Sequence, residues 1–318
     1  MIKRTLYFGN PAYLNLGDAQ LKVRLPEVEK NEILPENFKK ESVASIPIED
    51  IGIVILDHKQ ITITQALMEA LLSNNVALIT CNNSHHPIGL TLPLSSNTIQ
   101  NERYRSQLDA SEPLKKQLWA QTVEQKISNQ KQVLQSFELP IDYLKPIIKN
   151  IKSGDSGNAE GIAAAYYWKT ISPVILGAKS ATNTGFFKRD REGLAPNNYL
   201  NYAYAILRAT MARSIVGAGL LPTLGIFHKN RYNAYCLADD LMEPYRPFAD
   251  QVVIELVKTH GLIENIPIEL KKVLLQIPAM DVMINGEKSP LMIAMQRTAV
   301  SLVKCFEGEQ RNLIFPKL

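Results

Sequence analysis

The chain of 318 residues is too long for a minimal domain and has room for two. It is 46% hydrophobic and 21% charged, as ordinary globular proteins are, and its formal net charge of +4 suits a polyanionic partner without predicting one. The sequence shows no signal-peptide pattern and no apolar run long enough to span a membrane. We therefore expect a cytoplasmic protein that does not associate with a membrane.

Short runs of β-branched and aromatic residues fill about the first ninety positions. They are separated by turn formers such as Gly9 and Pro11. One helix interrupts them in TITQALMEALLSNN, where apolar residues recur at helical spacing. These patterns predict a small, mainly antiparallel β domain with one helix over residues 1–95. The predicted strands lie in KRTLYF, AYLNL, AQLKVRL, VASIPI, IGIVIL, QITIT and VALIT.

From about Asn101 the pattern changes to that of long helices. LKKQLWAQTVEQKISNQKQVLQSF repeats apolar residues at helical spacing. The further helical segments are IDYLKPIIKNIKSG, which is broken, AEGIAAAYYWKTISPVIL, NNYLNYAYAILRATMARSIVGAG, FADQVVIELVKTHGL, IPIELKKVLLQI and PLMIAMQRTAVSLVKCFEG. The sequence thus predicts an α+β fold with two domains, an N-terminal β-rich domain and a mostly α-helical C-terminal domain over residues 96–318.

A long polar and basic segment, LGAKSATNTGFFKRDREGLAP, interrupts the helical pattern. One interpretation is a solvated loop. The other is a loop that handles a nucleic acid strand, because cations such as Lys188 and Arg189 bind phosphates and neighbouring aromatic rings stack on bases. The segment alone leaves both interpretations open.

The three cysteines, Cys81, Cys236 and Cys305, are far apart in the sequence and have apolar neighbours. No CxxC or CxxH pair is present, so a cysteine metal cluster is not expected. We expect buried thiols in a reducing compartment.

The segment GIFHKNRYNAYCLADDLMEP holds a histidine and three carboxylates within an otherwise apolar, helix-forming stretch. Glu243 follows Asp240 by three positions, so a helical turn places both on nearly the same face. With His228, fifteen positions before Glu243, they offer the donors that suit Mn²⁺ or Mg²⁺. The alternative is that Asp239, Asp240 and Glu243 stabilise the start of a helix through its dipole.

A second carboxylate with an unusual position is Glu160, which precedes Gly161 and an alanine-rich apolar helix. We expect this carboxylate to be buried or to face a cleft. Here too the alternative is a charge that stabilises a helix N-terminus. A carboxylate from this helix, joined by a histidine and a carboxylate from another segment, would form one metal site.

Four segments carry a resemblance to a known family: WAQTVEQKISNQ, NAEGIAAAYYW, NNYLNYAYAIL and GIFHKNRYNAYCLADDLMEPYRP. They include a Glu-Gly-x-Ala-Ala motif and a Gly-x-x-His motif followed by Leu-Ala-x-Asp-Leu-x-Glu-x-x-Arg-Pro. The chain resembles, over essentially its whole length, the CRISPR-associated integrase, which is the endonuclease-like subunit of the CRISPR spacer-acquisition complex. Its β-rich first domain and helical second domain are similar to the architecture of that family.

The resemblance implies that Glu160, His228 and Glu243 are the catalytic residues and the ligands of Mg²⁺ or Mn²⁺. It implies that Asp240 supports this site, as a partner of a ligand or as an additional ligand. Arg246 falls in the Arg-Pro part of the motif, where we expect a structural role. We expect the apolar neighbours of His228 and Glu243 to shield both side chains from bulk water.

The implied reaction is the attack of a DNA 3′-hydroxyl on a phosphodiester at the edge of a CRISPR repeat, which inserts the captured fragment. The implied partners are double-stranded DNA, a second copy in a homodimer joined through the β domain, and a small dimeric adaptation protein that bridges two homodimers. The expected DNA contacts are Lys188, Arg189, Arg191, Lys229 and Arg231. Two alternatives stay open, a metal-dependent nuclease of branched DNA in repair and a catalytically silent DNA-binding scaffold.

Overall fold

The computed structural model describes residues 3–177, 187–190 and 193–318. Backbone contacts divide the chain into two units, Met1–Ser96 and Asn97–Leu318. The first unit is rich in strands and the second is mostly helical, so the predicted α+β fold class is confirmed.

The first unit contains two four-stranded sheets, with strand orders β1-β5-β7-β8 and β4-β3-β2-β6. Its elements in chain order are β1 (Arg4–Phe8), β2 (Ala12–Gly17), β3 (Gln20–Arg24), α1 (Pro26–Glu29), α2 (Glu36–Glu41), β4 (Ala44–Pro47), β5 (Ile51–Leu56), β6 (Ile61–Ile63), α3 (Gln65–Ser73), β7 (Ala77–Cys81) and β8 (Pro87–Thr91). The predicted helix is α3, and the short helices α1 and α2 accompany it.

The pairing of these strands differs from the mainly antiparallel arrangement expected. The pairs β1–β5, β5–β7 and β2–β6 are parallel, whereas β2–β3, β3–β4 and β7–β8 are antiparallel. The central strand β5 has the sequence IGIVIL and is buried along nearly its whole length. Such a continuous apolar run is typical of a parallel strand covered on both faces. The crossover from β5 to β7 passes through α3, as parallel neighbours require.

The second unit is built around α8, a helix whose side chains are buried on almost every side. Its elements in chain order are α4 (Gln100–Asp109), α5 (Glu112–Ser136), α6 (Leu144–Lys149), α7 (Ala159–Leu176), α8 (Asn197–Gly217), α9 (Cys236–Met242), α10 (Arg246–His260), α11 (Ile268–Leu275), β9 (Asp281–Ile284), β10 (Glu287–Pro290), α12 (Leu291–Phe306) and β11 (Pro316–Lys317). Short 3-10 turns lie at Ser153–Asp155, Glu243–Tyr245 and Ile277–Ala279. Helices α9, α10, α11 and α12 pack against α8.

Helix α5 positions the candidate site, because it packs against α7, α10 and the 3-10 turn Glu243–Tyr245. Its buried face contains Trp119, Val123, Ile127 and, unusually, Lys126. Segments that are far apart in the sequence therefore meet at a single long helix.

Two further expectations concern the cysteines and the membrane. Cys236 and Cys305 are buried and Cys81 is partly buried, and none of the three forms a disulfide within the part of the chain that the structure describes. Across residues 3–177, 187–190 and 193–318, no helix combines the length and apolar character that crossing a bilayer requires.

Candidate active site

The first site carboxylate, Glu160, lies in the first turn of α7. The carboxylate of Asp155 accepts hydrogen bonds from the backbone N–H groups of Ala159, at 2.7 Å, and Glu160, at 3.0 Å. Asp155 therefore caps this helix N-terminus. The Glu160 side chain instead accepts a hydrogen bond from the ammonium of Lys126. Its main contact is therefore with this lysine and not with the helix end.

The second site carboxylate, Glu243, begins the 3-10 turn that follows α9, and only 7% of this residue is exposed. Its Oε1 lies 2.9 Å from Nε of Arg246, and its Oε2 lies 2.5 Å from Nζ of Lys126. Burial raises the pKa of Glu243, but the positive charges of Arg246 and Lys126 outweigh burial and leave the pKa below its ordinary value. Glu243 is therefore a charged carboxylate held between two cations.

Lys126 joins the two carboxylates, and sequence reasoning did not assign it a role. The residue is 7% exposed and its ammonium contacts both Glu160 and Glu243. Burial lowers its pKa, but the two carboxylates raise the pKa by more, so the amine stays protonated. A lysine between the buried Val123 and Ile127 was the signal available in the sequence, because lysine is almost never buried without a partner.

His228 lies in the loop before α9 and is held by Asp240. Its Nδ1 lies 2.5 Å from Oδ1 of Asp240, a carboxylate that is fully buried. The Asp240 carboxylate also accepts the backbone N–H of Phe227, at 2.9 Å, and of His228, at 3.3 Å. The side-chain bond to Asp240 raises the pKa of His228. Because Nδ1 is engaged, Nε2 is the ring nitrogen left to bind a ligand.

Two aromatic rings pack around the imidazole of His228. Trp119 stacks on Phe227, with ring centres 4.3 Å apart, and both rings meet the imidazole edge to face. The His228 side chain is nevertheless 45% exposed, whereas that of Glu243 is 9% exposed. The expected shielding from water is therefore observed for Glu243 and is wrong for His228, because the aromatic rings and Asp240 cover one side of the imidazole.

The predicted ligands are not assembled into one metal site in this conformation. Glu160 and Glu243 meet at Lys126, and His228 is near enough to influence the charge of Glu243. Among the residues that the structure describes, however, no three His, Cys, Asp or Glu side chains converge closely enough to hold a metal ion. Two carboxylates and an imidazole fit Mg²⁺ or Mn²⁺ by donor chemistry. Their observed positions hold an ammonium between the carboxylates instead.

A cavity of about 570 Å³ adjoins Lys126, Glu160 and Glu243. Its further lining residues include Trp168, Lys188, Arg189, Tyr204, Arg246 and Asp250. Cationic and aromatic side chains beside a pair of carboxylates are suited to a phosphate-containing ligand.

Asp250, which also lines this cavity, is a further buried carboxylate that sequence reasoning missed. It accepts hydrogen bonds from the hydroxyl groups of Tyr167, at 3.2 Å, and Tyr204. Burial raises its pKa from 3.8 to about 6, although the two tyrosines and the nearby arginines act in the opposite direction.

This raised pKa gives a testable dependence of stability on pH. Between pH 4 and pH 6 the folded state binds the Asp250 proton more tightly than the unfolded state, so this carboxyl lowers the free energy of unfolding as the pH rises. The free energy of unfolding of Asp250→Asn relative to the unmodified protein should therefore rise by about 2 kcal/mol from pH 4 to pH 7. Urea denaturation at several pH values measures this, with the surface substitution Asp142→Asn as the control. A difference that does not change with pH would contradict the assignment.

The five residues expected to contact DNA have different surroundings. Lys188 is exposed beside the cavity, and Arg191 lies outside the described residues. The Arg189 guanidinium donates to Asn197, at 3.0 Å, and Asn201, at 2.6 Å, so it is directed into the protein. The other two cations are exposed: the Lys229 ammonium lies 3.3 Å from Glu112, and the Arg231 guanidinium lies over the Tyr232 ring. Contact with DNA stays a prediction for each of them.

Gly225 permits the close packing that holds His228 against Asp240. A Cβ at this position would lie 2.5 Å from the carbonyl oxygen of His228 and 2.7 Å from Oδ2 of Asp240. Gly225→Ala should therefore cost about 1–3 kcal/mol of stability and return the pKa of His228 towards its ordinary value. Thermal unfolding and an NMR titration of the imidazole measure the two effects. Gly157→Ala is the control, because a Cβ there meets no atom within 4 Å.

The sequence was also compared with protein families. The family model described as "CRISPR associated protein Cas1" matches residues 26–284. The chain belongs to the Cas1 family. The resemblance drawn from the sequence motifs is thereby confirmed.

Two Cas1 relatives show how far the similarity extends. The CRISPR-associated endonuclease Cas1 of Neisseria meningitidis serogroup C is 39% identical over 214 residues, which are 67% of this chain and 66% of that protein. The CRISPR-associated endonuclease Cas1 1 of Francisella tularensis subsp. novicida is 35% identical over 170 residues, which are 51% of this chain and 52% of that protein. The matched part of the chain thus spans just under two thirds and about half the length of these relatives.

Solved structures share the fold at low sequence identity. A casposase bound to an integration product has a TM-score of 0.76 and 20% identity, covering 98% of this chain and 92% of that chain. A chain of a Cas6-RT-Cas1–Cas2 complex has a TM-score of 0.71 and 18% identity, covering 98% of this chain and 36% of that chain. A TtCas1–DNA complex has a TM-score of 0.60 and 14% identity, covering 94% and 91%. These similarities establish the Cas1 fold.

Proposed function

We propose that this protein is a metal-dependent DNA integrase and endonuclease that inserts captured DNA fragments into a CRISPR array. The observation that carries the proposal is the convergence of Glu160 and Glu243 beside a cavity with cationic and aromatic walls. Membership in a family whose relatives are named endonucleases supports it, and so does the fold shared with a casposase bound to an integration product.

In the reaction, the 3′-hydroxyl oxygen of the captured DNA forms a bond to the phosphorus of a phosphodiester at the end of a repeat. The bond from that phosphorus to the 3′ oxygen of the preceding nucleotide breaks, which leaves a free 3′-hydroxyl on the repeat strand. Glu160, His228 and Glu243 would hold Mg²⁺ or Mn²⁺, which when bound activates the attacking oxygen and neutralises charge on the phosphate. Asp240 keeps Nδ1 of His228 engaged and so fixes which ring nitrogen faces the site. Arg246 holds the Glu243 carboxylate in place.

Double-stranded DNA is the proposed substrate, and a small dimeric adaptation protein that bridges two homodimers is the proposed partner. The fold is shared with a Cas1–DNA complex and with a chain of a complex that contains Cas2, which supports both proposals. The proposed homodimer forms through the β domain, residues 1–95. The proposed location of the protein is the cytoplasm.

A strand-transfer assay tests this proposal. The protein is mixed with Mn²⁺, a labelled duplex that has free 3′-hydroxyl ends, and a plasmid that carries a repeat array. We expect the label to become covalently joined to the plasmid at repeat ends, and a duplex with dideoxy 3′ ends to give no product. Cleavage of branched DNA without any joined product would instead establish a repair nuclease. This alternative is tested because the relatives are named endonucleases.

A further inference from the structure

The positive charge of Lys126 lies where the two acidic residues of the proposed metal site meet. Its ammonium hydrogen-bonds to Oε1 of Glu160 and lies 2.5 Å from Oε2 of Glu243. The side chains of Lys126 and Glu243 are 8% and 9% exposed, so little water screens their contact, whereas that of Glu160 is 32% exposed. The carboxylates come from α7 and from the turn after α9, and the Lys126 ammonium contacts both.

The charges of this cluster balance without a metal ion. Glu160 and Glu243 carry two negative charges, and Lys126 and Arg246 carry two positive charges. Adding a divalent cation would leave an excess of two positive charges in a largely buried place, which is costly. A divalent cation at these carboxylates therefore needs one resident cation to leave, or an anion to arrive with it.

Lys126 is the cation suited to leave. Arg246 contacts Glu243 through its planar guanidinium, which also lies over the ring of Tyr204, 4.6 Å from its centre. Lysine has a compact ammonium on a flexible four-carbon chain. The cavity of about 570 Å³ beside Lys126 gives that chain a place to extend, and a DNA phosphate in this cavity would supply a new negative partner.

We propose that Lys126 is the built-in counter-cation of the metal-free site, and that its transfer from the two carboxylates to a DNA phosphate couples metal binding to DNA binding. The inference rests on the proposed function, because it takes Glu160 and Glu243 as metal ligands. Without DNA the ammonium competes with the divalent ion for both carboxylates. With DNA bound, the same ammonium contacts the phosphate and the carboxylates are free for the metal ion. By linkage, the metal ion strengthens DNA binding by the same factor.

The test measures Mn²⁺ binding by the electron paramagnetic resonance of the free ion, with and without a duplex whose dideoxy 3′ ends prevent strand transfer. For the unmodified protein we expect the DNA to tighten Mn²⁺ binding by about tenfold. Lys126→Met should bind Mn²⁺ about tenfold more tightly than the unmodified protein when DNA is absent, and DNA should then change its affinity less than about twofold. Lys131→Met, which removes a charge from the same helix, should behave as the unmodified protein.

The possible outcomes separate this inference from the proposed function. If Glu243→Gln leaves Mn²⁺ binding unchanged, the site does not hold the metal ion and the proposed function fails. If the unmodified protein binds Mn²⁺ at these carboxylates but Lys126→Met has the same affinity and the same response to DNA, the inference is wrong and the proposed function stands. Weaker Mn²⁺ binding by Lys126→Met also contradicts the inference, because Lys126 would then help the carboxylates to bind the metal ion instead of competing with it.

A second measurement on the unmodified protein covers the case in which Lys126→Met does not fold. Acetylation of lysine amines by a short pulse of reagent is quantified by mass spectrometry with and without Mn²⁺ and the blocked duplex. With Mn²⁺ alone, Lys126 should be acetylated several-fold faster than in the metal-free protein, because it has lost its two carboxylate partners, and Lys131 should not change. When the blocked duplex is added, its phosphate should slow the acetylation of Lys126 again. An acetylation rate that is the same in all states contradicts the inference.

Discussion

Glu160→Gln, Glu243→Gln and His228→Ala are each expected to reduce Mn²⁺-dependent strand transfer by more than about 100-fold while the protein stays folded. The two glutamine variants keep the shape of the side chain and remove the charge that a divalent ion requires. The His228 variant removes the imidazole, whose Nδ1 lies 2.5 Å from Asp240 and whose Nε2 is the proposed metal ligand. The initial rate of joined product in the strand-transfer assay measures the effect, and circular dichroism measures folding.

Glu255→Gln is the matched control for the activity measurement. Glu255 lies on α10, is 54% exposed and pairs with Lys258 at the surface. We expect it to retain the rate of the unmodified protein. Full activity in Glu160→Gln, together with normal activity in this control, would remove Glu160 from the proposed metal site.

Arg246→Met is expected to lower the free energy of unfolding by about 3 kcal/mol, because it leaves the buried Glu243 with one cation instead of two. The substitution also removes the contact of the guanidinium with the Tyr204 ring. Urea denaturation measures the loss as a lower midpoint with an unchanged slope. Arg246→Lys keeps the positive charge and should lose less.

Arg297→Met provides the comparison for this stability measurement. Arg297 and its partner Glu287 are 40% and 69% exposed, with an N to O distance of 2.9 Å that equals that of the Arg246 pair. Exposed pairs contribute little, so we expect a loss below about 1 kcal/mol. Equal losses in the two variants would show that burial of Glu243 does not make its arginine partner important.

The sequence pattern within a segment was enough to predict those helices and strands that depend only on their own residues. Helix α7 has the bounds of the predicted segment AEGIAAAYYWKTISPVIL, because its helical pattern stops at Gly177. The hairpin of β9 and β10 was not predicted, although Asn285 and Gly286 form the Asn-Gly turn typical of hairpins, both with positive φ. Strand pairing could not be predicted in the same way, because it depends on which distant strand lies alongside.

The site divides between residues with a local signal and residues with long-range partners. The sequence motifs indicated Glu160, His228 and Glu243. Lys126 was missed because a lysine in a helix is normally exposed to solvent. Of the three acids that could stabilise a helix start, Asp239 does lie in the first turn of α9. Its carboxylate also binds the Arg208 guanidinium through two bonds, of 2.7 and 3.0 Å. No pattern near Asp239 reveals this partner 31 positions away.

The aromatic packing around His228 includes one of the tryptophans that give the protein its intrinsic fluorescence. The chain has two tryptophans, Trp119 and Trp168. Trp119 is 2% exposed, stacks on Phe227 and lies 5.5 Å from the imidazole of His228, whereas Trp168 lines the cavity beside Glu160. Both indole fluorophores therefore lie at the proposed site, so the intrinsic fluorescence of the unlabelled protein reports on ligands that enter it.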